Sequence, residues 1–225
     1  MKTVNVFETG IIGPCMSSMG YKAKNFKLGG MDFKKFNAYI GSIADIELAI
    51  RQRVAKIHED VNQHYDEHPY FYHLAMVAEN AMNFLPEILE KPEDIIPVLF
   101  ASYFHDSIED ARLTYNDVKK IALEYMSEEQ ALLATEIVYA LTNEKGRNRH
   151  ERANDKYYEG IRRIPYAPMV KACDRLANYE YAVQTNSRMV NMYRKEMEDF
   201  INNITLETTD PRFHIPETLK DCLLA

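Results

Sequence analysis

Apolar residues recur at helical spacing through most of the chain. Between Ile43 and Val61 they fall at Ile46, Leu48, Ile50, Val54, Ile57 and Val61, near the period of an amphipathic helix. Residues 62–69, Asn-Gln-His-Tyr-Asp-Glu-His-Pro, interrupt the pattern as a polar loop, and Pro69 suits its end or a first helical turn. The helical pattern resumes over Tyr70–Phe84. Pro86 and Pro92 bracket a connection, and Glu93–Asp110 is expected to form one helix with an acidic start. Thr114–Met126 and Ser127–Leu141 follow, the second opened by Ser127-Glu-Glu-Gln130, a capping box. Asn154–Arg163, Met169–Gln184 and Ser187–Ile204 complete the pattern, with Pro165 and Pro168 between the first two. The tail from Thr205 reads as irregular, apart from a short turn after Pro216.

The first 42 residues differ. Six of the eight glycines fall there, and that density disfavours helix. Thr3–Phe7 and Tyr21–Leu28 have the composition of short strands. The expectation is a Gly-rich extension over 1–42 with one or two short strands or a β-hairpin, an all-α domain of seven or eight helices over 43–204, and a tail over 205–225.

Composition narrows the function classes. The hydrophobic fraction of 46% is ample for a core. A net charge of −7 argues against general nucleic-acid binding, which wants a basic surface. Cys15, Cys173 and Cys222 share no metal-type spacing and form no disulfide framework. Their low density, with neither a secretory leader nor a membrane run, points to a soluble cytoplasmic protein.

The stretch Phe100–Asp110 carries the candidate chemistry. An apolar run ends in His105-Asp106, with Glu109 and Asp110 within a further turn. Side chains three and four apart share a helix face. An imidazole beside three carboxylates is costly unless a positive charge sits among them, and a divalent ion is the simplest such charge. His73, on the preceding helix, and Asp174, on a later one, complete a two-His, two-Asp set. Mixed nitrogen and oxygen donors suit manganese, iron, magnesium or zinc. Such an ion acidifies a bound water and polarises a phosphoryl oxygen. Glu109 and Asp110 are then placed to move the proton. Acids at a helix C-terminus also oppose the dipole, so their position calls for a reason.

These residues resemble a known family. The order His73, His105-Asp106, Asp174 is similar to the signature of HD-domain phosphohydrolases. Pro69-Tyr70-Phe71-Tyr72-His73, His105-Asp106-Ser-Ile-Glu109-Asp110, Ala140-Leu141-Thr142 and Lys171-Ala-Cys-Asp174-Arg175-Leu176-Ala-Asn178 together resemble the hydrolase domain of the RelA/SpoT alarmone enzymes and their small relatives. The resemblance spans roughly residues 45–204. It implies an HD-type helical bundle and removal of pyrophosphate from the 3′ position of (p)ppGpp with one divalent ion, manganese first. It makes His73, His105, Asp106 and Asp174 metal ligands, and Glu109 and Asp110 water-activating acids. Asn178 would contact the nucleoside, and Lys171 or Arg175 would support the site or a phosphate. The family places a base-stacking arginine nine residues ahead of the first metal histidine. Here His64 stands at that position, in a loop that is acidic where the family is basic, and offers fewer contacts than a guanidinium.

The expected partner is a small-molecule nucleotide, with neither nucleic acid nor a membrane. The alternatives are a nucleotide phosphomonoesterase of the wider HD group and a nucleotide-binding module without turnover. The basic run Lys145–Arg152 reads as either a phosphate clamp or a solvated loop. His58, His68, His150 and His214 read as surface or loop residues. Tyr157 and Tyr158 read as helix packing, with a place facing the pocket as the alternative for one of them. Cys173 reads as packing, and Met189, Met192 and Met197 as core.

Overall fold

A computed structural model describes residues 27–143, 148, 151 and 153–225. Ten α-helices lie among them: α1 (Phe33–Ser42), α2 (Ala44–Asp60), α3 (Phe71–Phe84), α4 (Ile95–Phe104), α5 (Tyr115–Ala122), α6 (Glu128–Leu141), α7 (Asp155–Arg162), α8 (Ala167–Gln184), α9 (Met189–Ile204) and α10 (Glu217–Leu224). Eight of them, α2–α9, fall within 43–204, and the protein is mostly helical as its periodicity predicts. No helix among the described residues is long and apolar enough to cross a membrane.

The core is built around α4. All ten of its residues, Ile95–Phe104, are buried, as befits a helix that is apolar all round. It packs against α2, α3 and α6, while α8 lies along α3. Phe104 and Phe100 stack with ring centroids 4.1 Å apart, and that stack fixes the end of α4 from which His105 and Asp106 project. At the other end of the bundle, Tyr166 caps α8 with a left-handed φ of +65°. Its hydroxyl donates to Asp94 at 2.7 Å, and so ties the start of α8 to the segment before α4.

Caps set several boundaries. Ser127 and Gln130 form the expected capping box, and Thr114 with Asp117 forms a second one. Asn154 accepts from the Tyr157 N–H at the start of α7. These side chains satisfy amide groups that have no partner inside their helices.

Four expectations change. The helix expected over Glu93–Asp110 is split: Pro92–Asp94 is a 3-10 turn, and α4 ends at Phe104. The cause at the end is local. Ser107 directs both its N–H and its hydroxyl to the Phe104 carbonyl, which closes a tighter turn than an α-helix. The chain then continues in turns to Arg112, where φ is +60°. Residues 62–69 are more ordered than a loop: His64–Tyr65 and His68–Pro69 pair antiparallel as β1 and β2. The tail contains a 3-10 turn at Pro211–Phe213 and a full helix, α10. Within 1–42, the last ten residues form α1, capped by Asp32.

The strand expected at Thr3–Phe7 and the Tyr21–Phe26 part of the one expected over Tyr21–Leu28 lie outside the described residues, and Leu28 opens a 3-10 turn, Leu28–Gly30, instead of ending a strand. From Lys27 onward the extension lies on the body. Lys27 and Gly29 donate their N–H groups to Pro86 and Leu89 carbonyls. Gly29 has φ +59°, and a Cβ there would stand 2.9 Å from the Pro92 nitrogen, so the approach needs glycine. Met197 is buried as expected, whereas Met189 is exposed at the start of α9.

The Phe104 ring is fully buried beneath the site. Phe104→Ala is expected to destabilise the fold by about 3–5 kcal/mol, read as a lower urea midpoint. A loss of less than about 1 kcal/mol would mean that the end of α4 is held by something else.

Candidate metal centre

Three segments deliver the candidate donors. His73 sits in the first turn of α3, His105 and Asp106 directly follow α4, and Asp174 lies midway along α8. The Nε2 atoms of His73 and His105 are 3.3 Å apart. Asp106 Oδ2 is 3.0 Å from His105 Nε2 and 3.6 Å from His73 Nε2. Asp174 Oδ1 is 3.3 Å from His73 Nε2 and 3.8 Å from His105 Nε2. His73, His105 and Asp106 form a trio whose donor atoms all lie within 4.8 Å of one another. Metal–ligand bonds of about 2.1 Å place neighbouring donors roughly 3–3.4 Å apart in octahedral or tetrahedral arrangements. The His73, His105 and Asp106 donors, 3.0–3.6 Å apart, are close to that spacing, and Asp174 stands beside them, 3.3 Å from His73 but outside the trio.

The surrounding residues hold these donors in place. His105 Nδ1 faces the Ser102 carbonyl at 2.8 Å. A carbonyl can only accept, so Nδ1 carries the proton and Nε2 is free to donate a lone pair. Asp174 is held on both oxygens: Lys171 Nζ donates to Oδ2 at 2.9 Å and Asn178 Nδ2 to Oδ1 at 2.7 Å. The Tyr70 hydroxyl lies 2.6 Å from Asp106 Oδ2 and 2.6 Å from Asp110 Oδ2. Asn143 donates to Glu109 at 3.1 Å. Tyr65 stacks on the His73 ring at 4.8 Å, and its hydroxyl donates to Asn178 at 2.9 Å.

The electrostatics follow from this crowding. Burial works against the charged Asp106 and Asp174, but the histidines, and Lys171 for Asp174, hold both well below the usual carboxylate range. Burial also opposes the charged His73, yet Asp106 and Asp174 raise it to about 9. His105 is raised too, with burial outweighed by Asp106. Lys171 stays charged despite burial because Asp174, Tyr157 and Asp106 surround it. Glu109 and Asp110 move the other way. Desolvation raises both, against hydrogen bonds from Asn143 and Tyr70 that lower them. Glu109 keeps an open surface, so its shift reflects the protein crowding one side of the carboxylate.

Among the residues singled out from sequence, His73, His105, Asp106 and Asp174 converge, and Lys171 and Asn178 support them. Asp110 joins them through Tyr70. Glu109 stands beside them, close enough for Asp106 and Lys171 to act on its charge. Arg175 does not join the group. It lies 3.4 Å from Glu196 and over the Phe200 ring on α9, because it sits about 100° round α8 from Asp174. His64 is exposed on β1, with Nδ1 near its own Asn62 carbonyl. Side chains alternate along a strand, so the next residue, Tyr65, is the one that turns inward. His58 is not a surface residue. It is 1% exposed in the last turn of α2 and stacks on Tyr70. Most of the Lys145–Arg152 run lies outside the described residues.

Sequence reading assigned no role to Tyr65, Tyr70, Asn143 or His58. Tyr70 had a usable signal, since it precedes His73 by one helical turn. Tyr65 needed the hairpin, which two-residue strands barely announce.

Comparisons with protein-family models, with curated proteins and with solved structures returned no match.

The metal-free centre predicts a pH dependence. His73 binds its proton more tightly in the folded chain than at the ordinary imidazole value of about 6.5. Its contribution to stability is full below that value and is lost as pH rises through about 9. Thermal unfolding in chelator should therefore show a melting temperature that falls over this window, and His73→Leu should flatten that part of the profile. A wild-type profile that is flat or rising there contradicts the assignment.

Proposed function

We propose that the chain is a metal-dependent phosphohydrolase of the HD type acting on a nucleotide, with the 3′-pyrophosphate of (p)ppGpp as the leading substrate. The observation that carries the reading is the convergence of His73, His105, Asp106 and Asp174, with nearest donors 3.0–3.6 Å apart. The chain motifs that accompany them, His105-Asp106-Ser-Ile-Glu109-Asp110 and Lys171-Ala-Cys-Asp174-Arg175-Leu176-Ala-Asn178, support the alarmone-hydrolase branch.

A bound divalent ion would supply Lewis acidity toward a phosphoryl oxygen and lower the pKa of a nearby water. His73, His105, Asp106 and Asp174 would hold it. Manganese is the first choice, and iron, magnesium and zinc also accept such a donor set. The protein's own contribution is to move a proton. The water oxygen bonds to phosphorus and the phosphorus–oxygen bond to the leaving group breaks. One water proton passes to Glu109 or Asp110, and the leaving oxygen takes up a proton. Desolvation raises both acids above the ordinary carboxylate value, the direction that makes each a better proton acceptor. Lys171 keeps Asp174 aligned and offsets part of the negative charge.

A second substrate reading has its own support. Both amide donor contacts of Asn178 go to Asp174, and its oxygen accepts from Tyr65. A nucleoside that used Asn178 would have to compete with Tyr65. That arrangement favours a nucleotide phosphomonoesterase, whose substrate need not reach Asn178. A binding module without turnover has less support, since it would not need two raised acids beside the donors.

A nucleotide panel with added manganese separates these readings. Pyrophosphate released from (p)ppGpp supports the first, and phosphate released from mononucleotides alone supports the second. In either case Glu109→Gln should lower kcat by about 100-fold or more, the size expected for a lost general base. Full turnover in that variant would remove Glu109 from the reaction. No release from any nucleotide would sink the hydrolase reading.

A further inference from the structure

The Tyr70 ring stands between two groups that the proposed chemistry needs in register. Its hydroxyl oxygen is 2.6 Å from Asp106 Oδ2 and 2.6 Å from Asp110 Oδ2. A phenol carries a single proton, so one O–H serves both carboxylates, and displacing either one disturbs the other. Asp106 Oδ2 is also the oxygen that faces His105 and His73. Tyr70 thus touches the donor set on one side and a candidate proton carrier on the other.

The ring itself is held from behind. His58, near the end of α2, stacks on Tyr70 with centroids 4.8 Å apart and planes within 9°. It is 1% exposed, and neither ring nitrogen meets a hydrogen-bond partner among the described residues. Burial lowers its pKa to about 4, which keeps it neutral at physiological pH. What the packing uses is therefore its flat face. On the other side, the rings of Tyr70 and His73 meet edge-on at 5.8 Å. Tyr70 is buried at 8% exposure, so its hydroxyl has little freedom to turn elsewhere.

We propose that Tyr70 is a positioning residue: its hydroxyl sets the Asp106 and Asp110 carboxylates in one register, and His58 is the plate that fixes its ring. The proposal rests on the phosphohydrolase reading above. It gives Tyr70 no bond to make or break. Residues that hold a metal ligand from outside typically change metal affinity or activity by about 10–100-fold when removed.

Tyr70→Phe keeps the ring and its stack and removes only the hydroxyl. The expected result is a kcat about 10–100-fold lower, with KM within about threefold of wild type. Manganese affinity, read by chelator competition with no substrate present, should weaken about tenfold. His58→Ala should lower kcat as well, and His58→Phe, which restores a flat ring, should recover most of that loss. Wild-type kcat and metal affinity in Tyr70→Phe would overturn the proposal and leave the hydrolase reading standing. His58→Phe falling as far as His58→Ala would overturn the plate role. A wild-type chain that binds no metal would overturn both readings together.

Discussion

The structure turns on one electrostatic constraint. Two imidazole nitrogens lie 3.3 Å apart, with an oxygen of Asp106 and one of Asp174 each 3.0–3.8 Å from them, in a region where the histidines are almost fully buried. Without a positive charge at their centre, that arrangement costs free energy through desolvation and repulsion. Asp106 and Asp174 favour the protonated forms of His73 and His105, and the Lys171 ammonium adds positive charge beside them. A divalent ion would replace the histidine protons, so binding should release them. The same residues can therefore act as a proton-held cluster or a metal centre, and pH decides how strongly the two compete.

The bundle delivers this cluster with few degrees of freedom. α4 is buried on all sides and ends at Phe104, so His105 and Asp106 emerge from a fully buried part of the core. α8 lies along α3 and brings Asp174 to His73. Around the donors, each carboxylate has an outside partner: Lys171 and Asn178 on Asp174, and Tyr70 on Asp106. Such partners fix the orientation of a ligand and leave fewer conformations to lose on binding. The β1–β2 hairpin adds Tyr65, which covers His73 and occupies Asn178.

Much of this was legible in the sequence, for physical reasons. The helices between residues 43 and 204 declare themselves by period, and Ser127-Glu-Glu-Gln130 announced its own cap, whereas α1 and α10 did not stand out from the Gly-rich extension and the tail. The convergence of His73, His105, Asp106 and Asp174 was legible because metal-binding residue types are few and their order along the chain was informative. Other features were not legible, because tertiary context decides them. Ser107 ends α4 by drawing two donors to the Phe104 carbonyl, a competition that no hydrophobic pattern reveals. Arg175 is adjacent to Asp174 in sequence but is turned to α9 by the helix. His58 resembles a surface histidine until Tyr70 covers it.

Calorimetric titration of chelator-treated protein with manganese tests the central claim most directly. The account predicts one ion per chain, binding that releases protons, and loss of that binding in Asp106→Ala. Binding of equal strength and stoichiometry in Asp106→Ala, or no binding by the wild-type chain, would contradict it.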